Sequence, residues 1–305
     1  MRGITVGVLG LVIGLAAGCG DDDDGGQPGA DAAGFDQAPI VFLHGCPPPP
    51  IDNVASAGLW TGDTQQLPAA VDFFADRGYP DDHLNVFVYD GPNCAPNFDY
   101  AEQVADYVQT VIAATGKPRV DILAISMAAV AGRIYLREGG TEFVEDFVSI
   151  VGANHGSVLA GMVGEAARET FPPPNWEGAF EASPAYACEG ESPAANNVQA
   201  FLNGCLTEDG RTVEVDETPN DVNEGGHIKY LSIWNDQDDL VVPQEASCLS
   251  QAFQNDCSDP VNLRFSVAAM TEVVPGSGLY SAHVETEFHQ PTRQAMYDFV
   301  TAPRE

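Results

Sequence analysis

The fold is decided by residues 120–128, which read VDILAISMA. Four of the first five are apolar and two of them are β-branched, as in a buried strand, and a helical composition begins at Met127. Ser126 therefore lies where a strand turns directly into a helix, which is the setting of a nucleophile elbow. Ala124 and Ala128 keep both flanking positions small, as such a tight turn requires. A serine that caps a helix after a strand would give the same local pattern, so the choice depends on the rest of the chain.

Strands and helices alternate on both sides of this segment. Apolar runs predict five further strands, at residues 40–43, 84–89, 147–151, 230–234 and 263–267. Helical spacing predicts one helix at about residues 101–112, ended by Gly116, and a final helix at about residues 292–300. Asp99 and Glu102 have the spacing of a capping box for the first of these helices. The alternation predicts an α/β fold with a mostly parallel, doubly wound sheet.

The segment from about residue 157 to residue 226 interrupts this alternation. It contains three consecutive prolines, at residues 172–174, scattered polar residues and two cysteines. We expect a cap-like insertion over the carboxyl edge of the sheet, where ligands bind in open α/β folds. The alternative is an embellishment of the surface with no part in a reaction.

The composition excludes several classes of protein. The chain has 305 residues, with 12 Lys and Arg against 45 Asp and Glu, and a formal net charge of −33. Nucleic acid is not an expected partner, because binding it requires a positive surface. Hydrophobic residues make up 44% of the chain, which is enough for a core and excludes a disordered protein. Only one long apolar run is present, at the N-terminus, so a polytopic membrane protein is excluded as well.

The N-terminal residues predict export. After a short positive start, residues 4–17 form an uncharged apolar run that is short for a membrane span. Small residues then precede Cys19, and the arrangement resembles a bacterial lipoprotein signal, in which that cysteine is lipidated. We predict a signal peptide at residues 1–18, an acidic Gly/Asp-rich tether at residues 19–37, and a cell-envelope location in which only the lipid anchor contacts the membrane. The alternative is an ordinary secretory signal and a secreted protein.

Six further cysteines indicate disulfides, because their number is even and the protein is expected outside the cytoplasm. They are Cys46, Cys94, Cys188, Cys205, Cys248 and Cys257. Proximity in the chain favours the pairs Cys248–Cys257 and Cys188–Cys205, which leaves Cys46 to pair with Cys94. The sequence has no His and Cys spacing typical of zinc, so no metal is expected.

Five short motifs lie at or near predicted strand ends. They are FLHG at residues 42–45, YDG at 89–91, DILAISM at 121–127, GANHGS at 152–157 and DDLVVP at 238–243. Together they resemble the α/β-hydrolases of the bacterial lipase and esterase type, near the class-2 lipases, over roughly residues 39–300. Ile125 stands where that family often has a histidine, and Ala128 where it usually has a glycine. The resemblance implies an α/β-hydrolase catalytic domain at residues 38–305.

The resemblance also implies where the catalytic groups lie. The backbone amides of Cys46 and Met127 would form an oxyanion hole. In this fold the nucleophile, here Ser126, is followed along the chain by an acid and then by a histidine. The family pattern selects Asp238 as the acid, and Asp239 is the close second.

The histidine of the triad is expected in the last loop before the final helix. His283 follows a loop of small residues and is the expected base, whereas His289 lies near the start of that helix and is expected to cap it or to lie at the surface. His155 precedes the acid in the chain, which argues against a place in the triad. His44 is expected to shape the loop after the first strand.

These assignments predict a serine hydrolase that cleaves carboxylic esters through an acyl-enzyme, with Ser126, Asp238 and His283 as its triad. The expected substrate is a small-molecule ester or a lipid, as for a triacylglycerol lipase, and no cofactor is expected. Thioesterase, polyester depolymerase and amidase activities stay open, because a fold does not determine a substrate. The alternative from another class is a non-catalytic lipoprotein that binds a lipid or a partner on a hydrolase scaffold.

Overall fold

The computed structural model describes residues 35–46, 53–61, 70–170, 177–181, 188–189, 192–193, 198–208, 212–213, 227–249, 257–270, 272 and 280–304. The predicted signal peptide, Cys19 and the tether up to residue 34 lie outside the described residues. Within the described ranges, no helix combines the length and the apolar composition that crossing a membrane requires.

The described part of the chain contains ten strands and nine α-helices. The strands are β1 (Ile40–Leu43), β2 (Leu84–Phe87), β3 (Val120–Ile125), β4 (Val144–Ile150), β5 (Cys188–Glu189), β6 (Ser192–Pro193), β7 (Cys205–Leu206), β8 (Thr212–Val213), β9 (Lys229–Asn235) and β10 (Asn262–Phe265). The helices are α1 (Asn53–Thr61), α2 (Ala70–Ala75), α3 (Asn97–Thr115), α4 (Met127–Arg137), α5 (Val158–Thr170), α6 (Glu177–Glu181), α7 (Val198–Asn203), α8 (Ala282–Phe288) and α9 (Gln290–Val300).

Six of these strands form the central sheet. Their order is β10-β9-β4-β3-β1-β2, and every neighbouring pair is parallel. All six strands predicted from the apolar runs lie in this sheet. β1 and β3 are buried along their whole length, as expected when helices cover both faces of a parallel sheet. The prediction of a mostly parallel sheet is confirmed.

The sheet separates two hydrophobic cores. Val41 and Leu43 of β1 point into a core that also contains apolar residues of α3 and α4. Ile40 and Phe42 point into the opposite core, with apolar residues of α1, α2 and α9. Successive side chains of a strand face opposite sides of a sheet, so one short strand supplies both cores. Helices on both faces make the sheet doubly wound, as predicted.

The boundaries of α3 differ in one respect from the sequence prediction. The helix ends as expected at Gly116, whose φ of 69° is the left-handed conformation that glycine tolerates and whose amide donates to Ile112 O. It begins at Asn97, with Pro96 at the N-cap, so the predicted capping box of Asp99 and Glu102 is wrong. The first helical amide instead donates to a carboxylate from a distant part of the chain.

The described part of the stretch between β4 and β9 contains three short helices and two antiparallel strand pairs, β5 with β6 and β7 with β8. α7 lies against α4, where Arg133 Nη2 donates to Asn203 Oδ1 at 2.8 Å. The stretch is therefore attached to the helix that follows Ser126. The limits predicted for the insertion, residues 157 and 226, stay a prediction.

Disulfides lie in the connections between strands of the central sheet. Cys46 is bonded to Cys94 and Cys248 to Cys257, with Cα–Cα distances of 5.0 and 5.3 Å. Both are pairs that the sequence predicts. Cys205 is also disulfide-bonded, while the side chain of Cys188 lies outside the described residues.

Candidate active site

Ser126 occupies a strained turn between β3 and α4. Its φ of 60° and ψ of −127° lie outside the regions that residues with a side chain favour. Two backbone hydrogen bonds across the sheet hold this conformation: the Ser126 amide donates to Ile150 O at 2.9 Å, and the Ala153 amide donates to Ser126 O at 3.3 Å. This conformation is the strand-turn-helix geometry of a nucleophile elbow.

Close packing around the elbow explains why its neighbours are small. Ala124 and Ala128 are fully buried, so the methyl groups that replace the usual hydrogens are accommodated. Glycine is needed elsewhere: a Cβ atom at Gly132 would lie 2.8 Å from the Phe147 ring, and one at Gly152 would lie 2.6 Å from the Ala129 Cβ. The close approach of α4 to β4 therefore depends on these two glycines rather than on residues 124 and 128.

The loop after β1 contacts the serine directly. A Cβ atom at Gly45 would lie 2.8 Å from the Ser126 Cβ and 3.4 Å from its Oγ, so a side chain at position 45 would displace the hydroxyl. Cys46 follows, and its disulfide to Cys94 attaches the loop to the segment that leads into α3. The predicted oxyanion donor at Cys46 is thus on a loop that is fixed on both sides.

His44 supports this loop. Its Nδ1 lies 2.8 Å from Gly45 O, and its Nε2 lies 3.4 Å from the amide of Tyr89, two residues after β2. Burial lowers the pKa of His44 to about 4. A neutral imidazole with its proton on Nδ1 satisfies both contacts, donating to Gly45 O and accepting from Tyr89 N. His44 therefore connects two strand ends and is not available as a base.

Asp238 and His283 form a buried pair at the same edge of the sheet. The His283 Nδ1 lies 2.8 and 3.0 Å from the two carboxylate oxygens of Asp238. The amides of Leu240 and Val241 donate to Asp238 Oδ1 at 2.8 and 2.9 Å. Both side chains are almost completely buried. The carboxylate is held by the backbone of its own turn and can orient the imidazole.

Asp239 has a different environment from its neighbour. Its Oδ1 accepts hydrogen bonds from Ser281 Oγ at 2.8 Å and from the His283 amide at 3.1 Å, and its Oδ2 accepts one from the Ala282 amide at 3.3 Å. These donors lie at the first turn of α8, so Asp239 caps the helix that carries His283. The sequence prediction selects Asp238, with Asp239 as the close second; the structure directs Asp238 at the imidazole and Asp239 at the backbone.

The environment of His283 favours its protonated form. Burial lowers its pKa, but the charge of Asp238 and the hydrogen bond to it more than offset this effect, and the pKa is raised above the ordinary 6.5. The Nε2 atom is buried and has no hydrogen-bond partner among the described residues. The charge of Asp239 also raises this pKa. Because Asp238 holds the Nδ1 atom, Nε2 is left to act on something else.

Ser126 and His283 lie at the same edge of the sheet. Within the described part of the chain, His283 Nε2 makes no hydrogen bond to Ser126. Ser126 follows β3, and Asp238 follows β9, two strands away in the sheet. Two strand spacings correspond to roughly 10 Å, a gap that an imidazole bonded to Asp238 can largely span. Catalytic hydrogen bonds are often long before substrate binds.

Three other histidines contact the backbone or cap a helix. His155 is buried, its pKa is lowered by burial to about 3, and its amide donates to Ala246 O at 2.9 Å. His289 is the N-cap residue of α9. The His227 Nε2 lies 3.1 Å from Val144 O.

Sequence reasoning missed a serine that supports the turn carrying Asp238. Ser157 Oγ donates to Leu240 O at 2.6 Å, and the Val242 amide donates to Ser157 Oγ at 3.3 Å. Ser157 therefore attaches the segment after β4 to the turn that carries Asp238. Its signal in the sequence is its place at the end of the GANHGS motif. Among the described residues, no group of three or more His, Cys, Asp or Glu side chains is arranged to hold a metal ion.

Comparison with known proteins assigns the chain to a family. The family model described as Lipase (class 2) matches residues 37–264. The crystal structure of the Bacillus licheniformis lipase BlEst2 in mature form superposes with a TM-score of 0.54 at 13% identity, covering 92% of this chain and 96% of that one. The carboxylesterase CesB from Bacillus subtilis gives a TM-score of 0.45 at 14% identity, covering 88% and 85%. No curated protein sequence matches this chain.

These findings agree with the architecture described above. The parallel six-stranded sheet and the superposition on the lipase give the chain an α/β-hydrolase fold. The family match extends from just before β1 into β10 and so includes Ser126, Asp238 and most of the sheet. Since it spans well over half of the sequence, the chain belongs to the class 2 lipase family.

Proposed function

We propose that this protein is a carboxylic ester hydrolase in which Ser126 is the nucleophile, His283 the general base and Asp238 the residue that orients it. One observation carries the proposal: a buried Asp–His pair lies at the same sheet edge as a serine held in a strained strand-to-helix turn. Membership of the class 2 lipase family supports ester hydrolysis.

The proposed reaction has two steps. His283 Nε2 takes the proton of the Ser126 hydroxyl as its oxygen attacks the ester carbonyl, and the imidazolium then gives that proton to the leaving alcohol. In the second step Nε2 takes a proton from water, the hydroxide attacks the acyl-enzyme, and the proton returns to Ser126 as the acid leaves. Asp238 holds the proton of the neutral imidazole on Nδ1, so that Nε2 is the basic nitrogen.

Two backbone amides are the proposed donors to the oxyanion. Met127 is the first residue of α4, so its N–H lies at the positive end of the helix dipole. Cys46 lies on the loop that contacts Ser126 through Gly45. Donors of this kind stabilise charge that appears only in the transition state, and losing one costs on the order of 10²–10³ in rate.

A neutral substrate with an apolar acyl group fits the surroundings of the Asp238–His283 pair. Leu240, next to Asp239, and Tyr280, next to Ser281, are exposed. Val158 is exposed too, and its amide donates to Val242 O at 2.9 Å, which places the start of α5 beside the turn that carries Asp238. The net charge of −33 disfavours anionic substrates. We therefore propose lipase-like specificity for uncharged esters.

Hydrolysis of p-nitrophenyl esters with short, medium and long acyl chains tests this proposal. We expect turnover that falls by on the order of 10⁴ or more in Ser126→Ala and in His283→Ala. A preference for longer chains supports lipase-like specificity, and a preference for short chains contradicts it. Full activity of Ser126→Ala would contradict the proposed nucleophile.

We also propose that the protein is exported and anchored in the cell envelope through a lipid on Cys19. The small residues before Cys19, the acidic tether and the disulfides support this location. Cys19→Ser is expected to move the protein from the membrane fraction to the soluble fraction. An unchanged distribution would contradict the lipid anchor.

A further inference from the structure

The short helix α6 is attached to the segment that leads into α3. The Gly178 amide donates to Cys94 O at 2.8 Å, and Gly178 O accepts from Asn97 Nδ2 at 3.1 Å. A Cβ atom at Gly178 would lie 2.4 Å from Ala95 O and 3.0 Å from Met127 Sδ. The backbone of α6 therefore lies directly against Cys94, Ala95 and the Met127 side chain.

Glu181 completes this attachment at the other end of α6. One of its oxygens, Oε2, accepts from the Asn97 amide at 2.7 Å and from Asn97 Nδ2 at 2.9 Å. Asn97 is the first residue of α3, and the preceding Pro96 makes no side-chain cap. Glu181 thus supplies the acceptor that the N-terminus of α3 otherwise lacks, across 84 residues of chain.

α6 contacts Cys94 and Met127, and each of these residues is connected to one of the two proposed oxyanion donors. Cys94, which accepts from Gly178, is disulfide-bonded to Cys46. Met127, whose sulfur faces Gly178, carries the other proposed amide. Both donors are backbone groups, so their positions depend on what holds their segments.

We propose that α6 is a clamp for the oxyanion hole and that Glu181 is the positioning residue that fastens it. This inference rests on the proposed function. By capping α3, Glu181 holds α6 in the position from which Gly178 contacts both Cys94 and Met127. Glu181 itself does not touch the substrate.

The clamp makes a specific prediction about kinetics. An oxyanion hole acts on charge that develops in the transition state, so loosening it lowers kcat and leaves KM nearly unchanged. A helix that formed only a wall for the acyl chain would change KM instead. Because a single oxygen of Glu181 accepts both hydrogen bonds, the neutral carbonyl oxygen of a glutamine can accept them too.

The test compares Glu181→Ala and Glu181→Gln with Glu102→Ala, which removes an exposed carboxylate from α3 itself. Ester hydrolysis and the thermal midpoint are measured for each purified protein, together with Ser126→Ala. We expect kcat of Glu181→Ala to fall about tenfold, with KM within about twofold, because a loosened donor costs less than a deleted one. Glu181→Gln and Glu102→Ala keep wild-type kcat. Gly178→Ala keeps Glu181 but displaces α6 from Ala95 and Met127. We expect its kcat to fall as that of Glu181→Ala does.

Several results would overturn the clamp. They are an unchanged kcat in Glu181→Ala, a loss confined to KM, or a glutamine variant as impaired as the alanine variant. If Glu181→Ala does not fold, the kcat of Gly178→Ala alone tests the clamp, and an unchanged kcat in that variant overturns it. Ser126→Ala separates the two proposals: if it still hydrolyses the ester, the proposed function fails, whereas an inactive Ser126→Ala beside a fully active Glu181→Ala overturns only the clamp.

Discussion

Two adjacent aspartates, identical in chemistry, have different roles because their carboxylates face different donors. Asp238 is buried against the imidazole of His283, while Asp239 accepts hydrogen bonds from the first turn of α8. In Asp238→Asn the side-chain amide donates to Nδ1, which moves the imidazole proton to Nε2, where it blocks general-base catalysis. We expect kcat to fall by on the order of 10⁴.

Asp239→Asn is the matched control, because it makes the same change of charge one residue away. An asparagine still accepts hydrogen bonds at a helix start, so we expect nearly wild-type kcat. Asp239→Ala removes the acceptor and is expected to lower the free energy of unfolding by about 1 kcal/mol, measured by denaturant titration. Equal losses of kcat in the two asparagine variants would contradict the assignment of Asp238 as the orienting acid.

The pH dependence follows from the raised pKa of His283. The base must be neutral, so kcat/KM falls as the pH decreases through that pKa, which lies above 6.5. In Asp238→Asn the charge and the carboxylate hydrogen bond through which Asp238 raises the pKa are gone, while burial, which lowers the pKa, and the smaller effect of the Asp239 charge persist. The acid limb of the residual activity is therefore expected at lower pH. Profiles of kcat/KM for a neutral ester check this; a wild-type limb at or below 6.5 would contradict it.

At the residue scale, the sequence led to Ser126, Asp238 and His283 but left alternatives and missed supporting residues. Asp238 and Asp239 could not be separated from the residues alone, since the difference is the direction of each carboxylate. Glu181 and Asn97 lie 84 positions apart, and no local pattern connects them. Such partners become visible only when the chain is folded.

The two disulfides close loops of different length, so their contributions to the free energy of unfolding are expected to differ. Cys46–Cys94 closes 48 positions of the chain and Cys248–Cys257 closes 9. Chain entropy predicts that replacing both cysteines by serine costs about 4 kcal/mol for the first pair and about 2.5 kcal/mol for the second. Thermal or denaturant unfolding measures both.

Activity adds a second contrast between these disulfides. The disulfide from Cys46 to Cys94 holds the loop that contacts Ser126. We therefore expect the variant with both cysteines replaced by serine to have a lower kcat, measured on its folded fraction. Replacing Cys248 and Cys257 is expected to leave kcat close to the wild-type value. A larger loss of kcat from the second pair would contradict the role given to the loop after β1.

The strands and helices with a strong apolar pattern are those that the sequence predicts correctly. The four inner strands of the central sheet, β1, β3, β4 and β9, are buried along almost their whole length, so their apolar runs are plain in the sequence. The edge strands β2 and β10 are only partly buried, yet they keep enough apolar residues to be recognised. The start of α3 was predicted wrongly because its cap comes from Glu181, in another element. The pieces of the insertion, such as β5 to β8, are two residues long and have no period from which they could be recognised.

At the scale of the whole molecule, charge is the dominant feature. A net charge of −33 produces repulsion between surface carboxylates, and salt screens it, since the Debye length falls from about 10 Å at 0.1 M to about 3 Å at 1 M. We expect the thermal midpoint to rise with added sodium chloride. A sucrose series at matched osmolality is the control for general solute effects, and a midpoint that falls steadily with salt would contradict the prediction.

The order of the strands in the sheet could not be obtained from apolar runs. These runs predict six strands and their parallel direction, but nothing in them places β1 between β2 and β3. The resemblance of the motifs to a known family supplied the fold. The motifs lie at strand ends, where parallel strands bring their following loops to one edge.

Covalent labelling tests the proposal that Ser126 is a nucleophile activated by His283. A fluorophosphonate that reacts with activated serines is incubated with the wild-type protein, and the modified peptide is identified by mass spectrometry. We expect a single adduct on Ser126, absent from Ser126→Ala and formed much more slowly in His283→Ala. An unlabelled wild-type protein, or an adduct on another serine, would contradict it.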